Sequence, residues 1–235
     1  MKPIYEPKGK AKEYGDYAIN IYTGCPHECY YCFAPNVLHK TRDNFHKCVE
    51  PRKNIVEEVR KQIEREGITG KLIHLCFTCD PYPTGYDSTP TREIIKIIKD
   101  SGNNVQILTK GDGSRDFDLL DENDWYGITL STLTTTAEPK AIMPFNRLLN
   151  LYKAKKHGIK TWVSFEPVVN TIDVLHCIKS HHTAMDKIKI GKLNYHPSHI
   201  DWIRFGEEAE SLCNELNIDY YIKDSLRAEM EGAKE

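Results

Sequence analysis

The 235-residue sequence has no run of about 18 apolar residues, so no part of it reads as a membrane span. Residues 1–8 hold no apolar signal core, and the expected location is the cytoplasm. Charge of one sign is not in excess: 32 Lys and Arg against 34 Asp and Glu leave a net −2. That balance gives no global electrostatic argument for a nucleic-acid binder. Internal repeats, low-complexity tracts and a compositional break are also missing, which excludes solenoids and strings of domains. One domain over 1–235 is expected, with a polar arm at 1–16 and a C-terminal extension at 217–235. Without a secretion signal, the eight cysteines point to a reducing compartment and to metal or catalytic use rather than disulfides.

What is present is an alternation. Strand-like stretches at 17–22, 71–77, 105–109, 126–131, 160–165 and 187–190 are rich in β-branched and aromatic residues. Between them lie helical patterns, such as Ile55, Val59 and Ile63 at i, i+4 and i+8, and the stripe Ile94, Ile95, Ile97 and Ile98. Helices are expected at 54–67, 91–100, 116–122, 145–157, 172–179 and 200–216, then a short extended piece at 220–222 and a helical turn from 224. Crossovers longer than a dozen residues imply parallel pairing and right-handed βα units. Six units are too few to close a barrel, so the expected fold is α/β: an open, partial (βα)6 TIM-like barrel around a parallel sheet.

The densest chemistry follows the first strand. Cys25, Cys29 and Cys32 stand in Thr-Gly-Cys-Pro-His-Glu-Cys-Tyr-Tyr-Cys-Phe-Ala-Pro, residues 23–35. A short loop with this spacing can wrap three thiolates around one face of an iron–sulfur cube and leave one iron without a protein ligand. The competing reading is a zinc-stabilised binding module without catalysis, with His27 as the fourth ligand. In parallel α/β sheets functional residues collect at the C-terminal ends of strands. Those ends carry Thr78 and Asp80, Ser131, Glu166, and Asn194. Cys79, at the mouth of the second strand, is a candidate hydrogen donor from a polar, accessible site. Cys48, Cys177 and Cys213 are scattered and give no second cluster, and His176, His181 and His182 read as a solvated turn.

Cys-x-x-x-Cys-x-aromatic-Cys, with Tyr31 in the aromatic slot, resembles the signature of the radical S-adenosylmethionine (radical SAM) superfamily. The resemblance implies a [4Fe–4S] cluster whose open iron chelates the amino and carboxylate groups of S-adenosylmethionine. It also implies reductive cleavage to a 5′-deoxyadenosyl radical, hydrogen abstraction from an unidentified substrate, a reductant such as flavodoxin or ferredoxin, and a partial barrel. Tyr31 would pack on the adenine side. Residues 76–83, Cys-Phe-Thr-Cys-Asp-Pro-Tyr-Pro, resemble an element of the spore photoproduct lyase-like group, in which Thr78 and Asp80 would accept from the methionyl ammonium. Residues 135–139 followed by Arg147-Leu, together with 164–167 and 191–194, are similar to the same group. On that likeness Ser131 and Arg147 would hold the carboxylate and ribose, and Glu166 or Asn194 the adenosine. The lyase likeness also raises repair or modification of a nucleic-acid base, which would have to be flipped or single-stranded.

Overall fold

A computed structural model describes residues 2–232. Met1 and residues 233–235, at the tips of the expected arm and extension, lie outside the described residues. One sheet of eight strands runs in sequence order: β1 (Ile4–Tyr5), β2 (Tyr17–Ile19), β3 (Leu72–Leu75), β4 (Asn104–Thr109), β5 (Trp125–Thr129), β6 (Lys160–Phe165), β7 (Lys187–Ile190) and β8 (Asp219–Ile222). β1 pairs antiparallel with β2, and every later neighbour is parallel. The fold is the expected partial TIM-like barrel, enlarged at both edges. The polar arm contributes β1, and the extended piece near 220 is a seventh parallel strand rather than a tail. Neither is legible locally, because a two- or four-residue strand gains its identity from the neighbour that pairs with it.

The helices are α1 (Ala34–Val37), α2 (Arg42–Lys47), α3 (Ile55–Glu66), α4 (Thr89–Asp100), α5 (Pro144–Lys156), α6 (Thr171–His181), α7 (Trp202–Glu215) and α8 (Asp224–Glu231). α3 buries Ile55, Val59 and Ile63 and stops at Gly67, whose φ of +60° suits glycine. α4 buries Ile94, Ile95, Ile97 and Ile98, each such side chain contributing about 1.5–3 kcal/mol. Asn170 caps α6, accepting from the amides of Ile172 and Asp173. Among the described residues no helix is long and apolar enough to cross a membrane.

Strand alternation sets what lies on each side. Ile73, Leu75, Val105, Ile107, Val163, Ile188 and Ile190 join the apolar core. The intervening residues of the same strands, His74, Gln106, Trp162 and Lys189, contact one another across the lumen. His74 Nδ1 lies 3.2 Å from Gln106 Oε1, and Lys189 Nζ sits 5.5 Å from the Trp162 ring. Gly127 makes room for that indole, since a Cβ there would fall 2.2 Å from Trp162 Nε1.

Tyr14, from the arm, enters this lumen. Its ring lies 5.4 Å from His74, 5.5 Å from Phe77 and 5.9 Å from Trp162, with Lys189 Nζ 4.0 Å and Lys223 Nζ 4.5 Å from its centroid.

Burial pulls the His74 pKa from 6.5 to about 3, the Gln106 contact opposing this and Lys189 adding to it. The folded state therefore keeps His74 neutral while the unfolded chain takes up a proton below pH 6.5. His74 leaves stability unchanged above pH 6.5 and lowers it by up to ~1.4 kcal/mol per pH unit as pH falls toward 3. The His74→Leu variant should lose about 2 kcal/mol less than the parent between pH 6.5 and 4.5 in urea titrations. Parallel losses in the two proteins would show that His74 is not what makes the fold acid-sensitive.

Candidate active site

The cysteine loop leaves the C-terminal end of β2 and is held by hydrogen bonds that the sequence does not advertise. Thr23 N–H donates to Glu50 O at 2.9 Å and Cys25 N–H to Phe45 O at 3.2 Å. α2, unexpected from the sequence, supplies the clamps. Arg42 donates to Cys29 O at 2.6 Å and to Cys32 O at 3.3 Å, and His46 Nδ1–H to Cys25 O at 2.8 Å. A backbone carbonyl of every cysteine is thereby fixed, and three thiols leave one rigid loop. Burial pushes all three thiols up, Cys29 to about 12, while the amides of His27 and Ala34 donate to the sulfurs of Cys25 and Cys32 and favour the thiolates. Such sulfurs are poor free anions and good metal ligands, because a bound cation replaces the proton.

His27 is not available as a fourth ligand, which corrects the zinc reading. Thr84 N–H, at 3.2 Å, and the Thr84 hydroxyl, at 3.0 Å, donate to its Nε2, and its Nδ1 faces Asp80 Oδ2 at 3.5 Å. Burial lowers its pKa to about 4. Among the described residues no group of three His, Cys, Asp or Glu is placed to hold a single metal ion. The donor set is three cysteine sulfurs on one loop, which fits one face of a cube.

Around the loop lie the ends of β3, β4 and β5. Asp80 is buried, and its carboxylate accepts from Tyr82 N–H (2.8 Å), Thr109 Oγ1 (2.5 Å) and Lys110 N–H (2.8 Å). Its expected role as acceptor for a cofactor ammonium is corrected: these bonds spend it on tying the β3 and β4 loops together. The neighbouring Thr78 differs. Its amide donates to Asn20 Oδ1 at 2.9 Å, and among the described residues its buried hydroxyl has no partner. Arg147 is fully buried and paired with Glu138, and it also donates to Thr129 O at 2.9 Å and Ile142 O at 2.8 Å, leaving only Nη2 without a partner. The ligand fork expected of Arg147 is thus mostly committed within the protein. Ser131 Oγ meets Tyr31 Oη at 2.8 Å and Glu138 Oε1 at 3.0 Å, and the Tyr31 hydroxyl also donates to Glu138.

Tyr31, Ser131, Glu138 and Arg147 form one buried polar frame against the cysteine loop. Lys110 stands over the Tyr31 ring, its Nζ 5.6 Å from the centroid, and among the described residues its ammonium has no hydrogen-bond partner. Burial opposes that charge, but Cys29 and Glu138 outweigh it and the pKa rises.

Glu166 and Asn194 lie apart from this frame. Glu166 Oε2 accepts from Tyr14 Oη at 2.5 Å and pairs with Lys223 at 2.9 Å, and Asn194 donates to Lys192 O at 3.1 Å. Through Oε2, Glu166 ties the arm residue Tyr14 to Lys223. Cys79 Sγ accepts from Tyr22 N–H at 3.4 Å and packs against the core. Lys110, Glu138, Arg42 and His46 were missed as site residues. The strand-end rule applied to β4 would have found Lys110, Glu138 stood within the 135–139 likeness without being given a role, and Arg42 and His46 carry no local signal.

The family model described as the Radical SAM superfamily matches residues 19–176. An uncharacterised protein of Acidianus two-tailed virus is 32% identical over 185 residues, 69% of this chain and 60% of that protein, so the chain spans about three fifths of its length. Among solved structures, a spore photoproduct lyase variant superposes with a TM-score of 0.71 at 13% identity, covering 93% of this chain and 79% of the other. SuiB of Streptococcus suis bound to S-adenosylmethionine gives 0.62 at 12%, covering 87% and 49%. At these identities the structural likeness speaks for the fold alone.

Proposed function

The chain belongs to the radical SAM superfamily, and from that premise we propose that it holds a [4Fe–4S] cluster on Cys25, Cys29 and Cys32, cleaves S-adenosylmethionine reductively and abstracts hydrogen from an organic substrate. When bound, the cluster and S-adenosylmethionine supply a 5′-deoxyadenosyl radical, given one electron from a reductant such as flavodoxin or ferredoxin. The protein's own task is to hold both in register. Arg42 and His46 fix the cysteine carbonyls so that the sulfurs keep their spacing without the metal. Lys110, a charge without a hydrogen-bonded partner, meets the methionyl carboxylate, and the Thr78 hydroxyl accepts from the methionyl ammonium. Tyr31 closes the adenine side, its hydroxyl fixed by Ser131 and Glu138, and Arg147 holds Glu138 ionised beneath them. Asp80 aligns Lys110 through the Lys110 amide.

The observation that carries the proposal is three thiols on one clamped loop beside an unpartnered ammonium and an unpartnered hydroxyl. A nucleic-acid base as substrate has behind it the lyase-like motifs and the fold similarity, and a net charge of −2 adds nothing to it. Anaerobic purification and reconstitution should give about four irons and four sulfides per chain, and 5′-deoxyadenosine after addition of dithionite and S-adenosylmethionine. A colourless protein carrying zinc, with no 5′-deoxyadenosine released, would overturn the proposal.

A further inference from the structure

The turn that ends β3 carries a second pair of thiols with no part in holding the cluster. Cys76 and Cys79 flank Phe77 and Thr78. Cys76 is buried, 6% exposed, and its φ of +69° is a left-handed conformation uncommon outside glycine. That kink folds the chain back, so the amides of Phe77 and Thr78 both donate to Asn20 Oδ1, at 2.8 and 2.9 Å. Cys79 Sγ then faces the chain continuing from β2, accepting from Tyr22 N–H at 3.4 Å, and it stands close enough to the Cys76 thiol to help burial raise the Cys76 pKa. Only two residues separate the thiols, the chain bends through 77–79, and Cys79 acts on the Cys76 thiol, the proximity that closing a disulfide needs. Cys79 is half-buried at the edge of the core, whereas Cys76 is buried within it. This is the asymmetry of an attacking and a resolving thiol.

We propose that Cys76 and Cys79 are a redox-active dithiol which a low-molecular-weight disulfide oxidises to an intrachain disulfide across the turn that presents Thr78. The Cys79 thiolate attacks one sulfur of the small disulfide and expels the first small thiolate, giving a mixed disulfide. The Cys76 sulfur then attacks Cys79 Sγ, closes the Cys76–Cys79 bond and expels the second. Two electrons pass from the dithiol to the small disulfide, and the two protons end on the two released thiols. Thr78 lies inside the closed ring, so oxidation moves the hydroxyl assigned to the methionyl ammonium and weakens cofactor binding. That consequence rests on the proposed function; the disulfide itself does not.

The test exposes the anaerobic, cluster-loaded chain to glutathione buffers of increasing oxidised fraction, followed by acid quench, alkylation and tryptic mass mapping. Cys76 and Cys79 share the tryptic fragment 72–92, so the disulfide registers as loss of two hydrogens, reversed by dithiothreitol. In Cys76→Ser the resolving sulfur is gone, and Cys79 should stop at the mixed disulfide with glutathione. S-adenosylmethionine binding by equilibrium dialysis should be about tenfold weaker in the oxidised protein. Fragment 72–92 staying fully alkylated at every ratio, while the exposed Cys48 takes up glutathione, overturns the dithiol. A disulfide that forms and leaves cofactor affinity unchanged overturns the coupling to Thr78. Reduced protein that binds no S-adenosylmethionine counts against the proposed function instead, and the mass shift still decides the dithiol.

Discussion

Arg147→Met should destabilise the protein by about 3–5 kcal/mol, the cost of leaving one partner of a buried ion pair uncompensated. Arg147 and Glu138 are both fully buried, and one guanidinium serves the Glu138 carboxylate, Thr129 O and Ile142 O. In a chain of this size that corresponds to a fall in Tm on the order of 10 °C. The pH dependence identifies the cause. Burial pushes the Glu138 pKa up, but Lys110, Arg147 and the Tyr31 hydroxyl outweigh it and hold the value below the usual 4.5. A depressed carboxyl contributes stability that is present above the unfolded-state pKa and lost as pH falls through the lower folded value. Without Arg147 that contribution shrinks, so the deficit is largest near neutral pH and narrows as pH drops below 4.5. Urea denaturation of Arg147→Met and of Arg147→Met with Glu138→Gln measures it, and the double variant should recover part of the loss because neither charge of the pair is left buried without the other. A single variant as stable as the parent would mean that Glu138 finds another counter-charge, Lys110 being the nearest one available.

The second large effect is on cluster assembly. Gly24→Ala would place a methyl carbon 2.2 Å from Phe45 O and 2.9 Å from Cys48 O, both backbone atoms. Neither can swing aside like a flexible side chain, so the cysteine loop must move away from α2. Cys25 N–H then loses Phe45 O, and Arg42 and His46 no longer meet the cysteine carbonyls. The barrel should still fold, since the strand core is untouched, while iron incorporated per chain falls at least about tenfold, as a displaced ligand scaffold predicts. Far-UV circular dichroism and iron analysis separate the two outcomes. Gly15→Ala is the matched control: its Cβ would meet Gln106 Oε1 at an ordinary 3.8 Å, and its backbone is extended. Full iron loading in Gly24→Ala would show that the clamp from α2 is dispensable.

The same residues mark what could be read without a structure. The cysteine spacing is a local code, three thiols within eight residues, although it took the tertiary partners of His27 to set the zinc reading aside. The helix stripes at Ile94–Ile98 and the β-branched strands are local as well, because period and propensity act over a few residues. The place of Thr78 at the rim was legible because strand ends can be counted. Asp80, beside it in sequence, was misread, since whether a carboxylate is open or spent depends on Thr109 and Lys110, about thirty residues on.

What the sequence by itself determined is therefore the alternating barrel and the thiol loop at its first strand. Tertiary structure decided the polar frame of Tyr31, Ser131, Glu138 and Arg147, the α2 clamp, and the entry of Tyr14 into the lumen. It also decided that residues 219–222 are a seventh parallel strand, paired with β7. The physical reason is common to all of these. Hydrophobic periodicity reports which face of an element is buried, whereas the partner of a buried polar group is chosen by distance in space, and the chain brings residues a hundred positions apart within 3 Å.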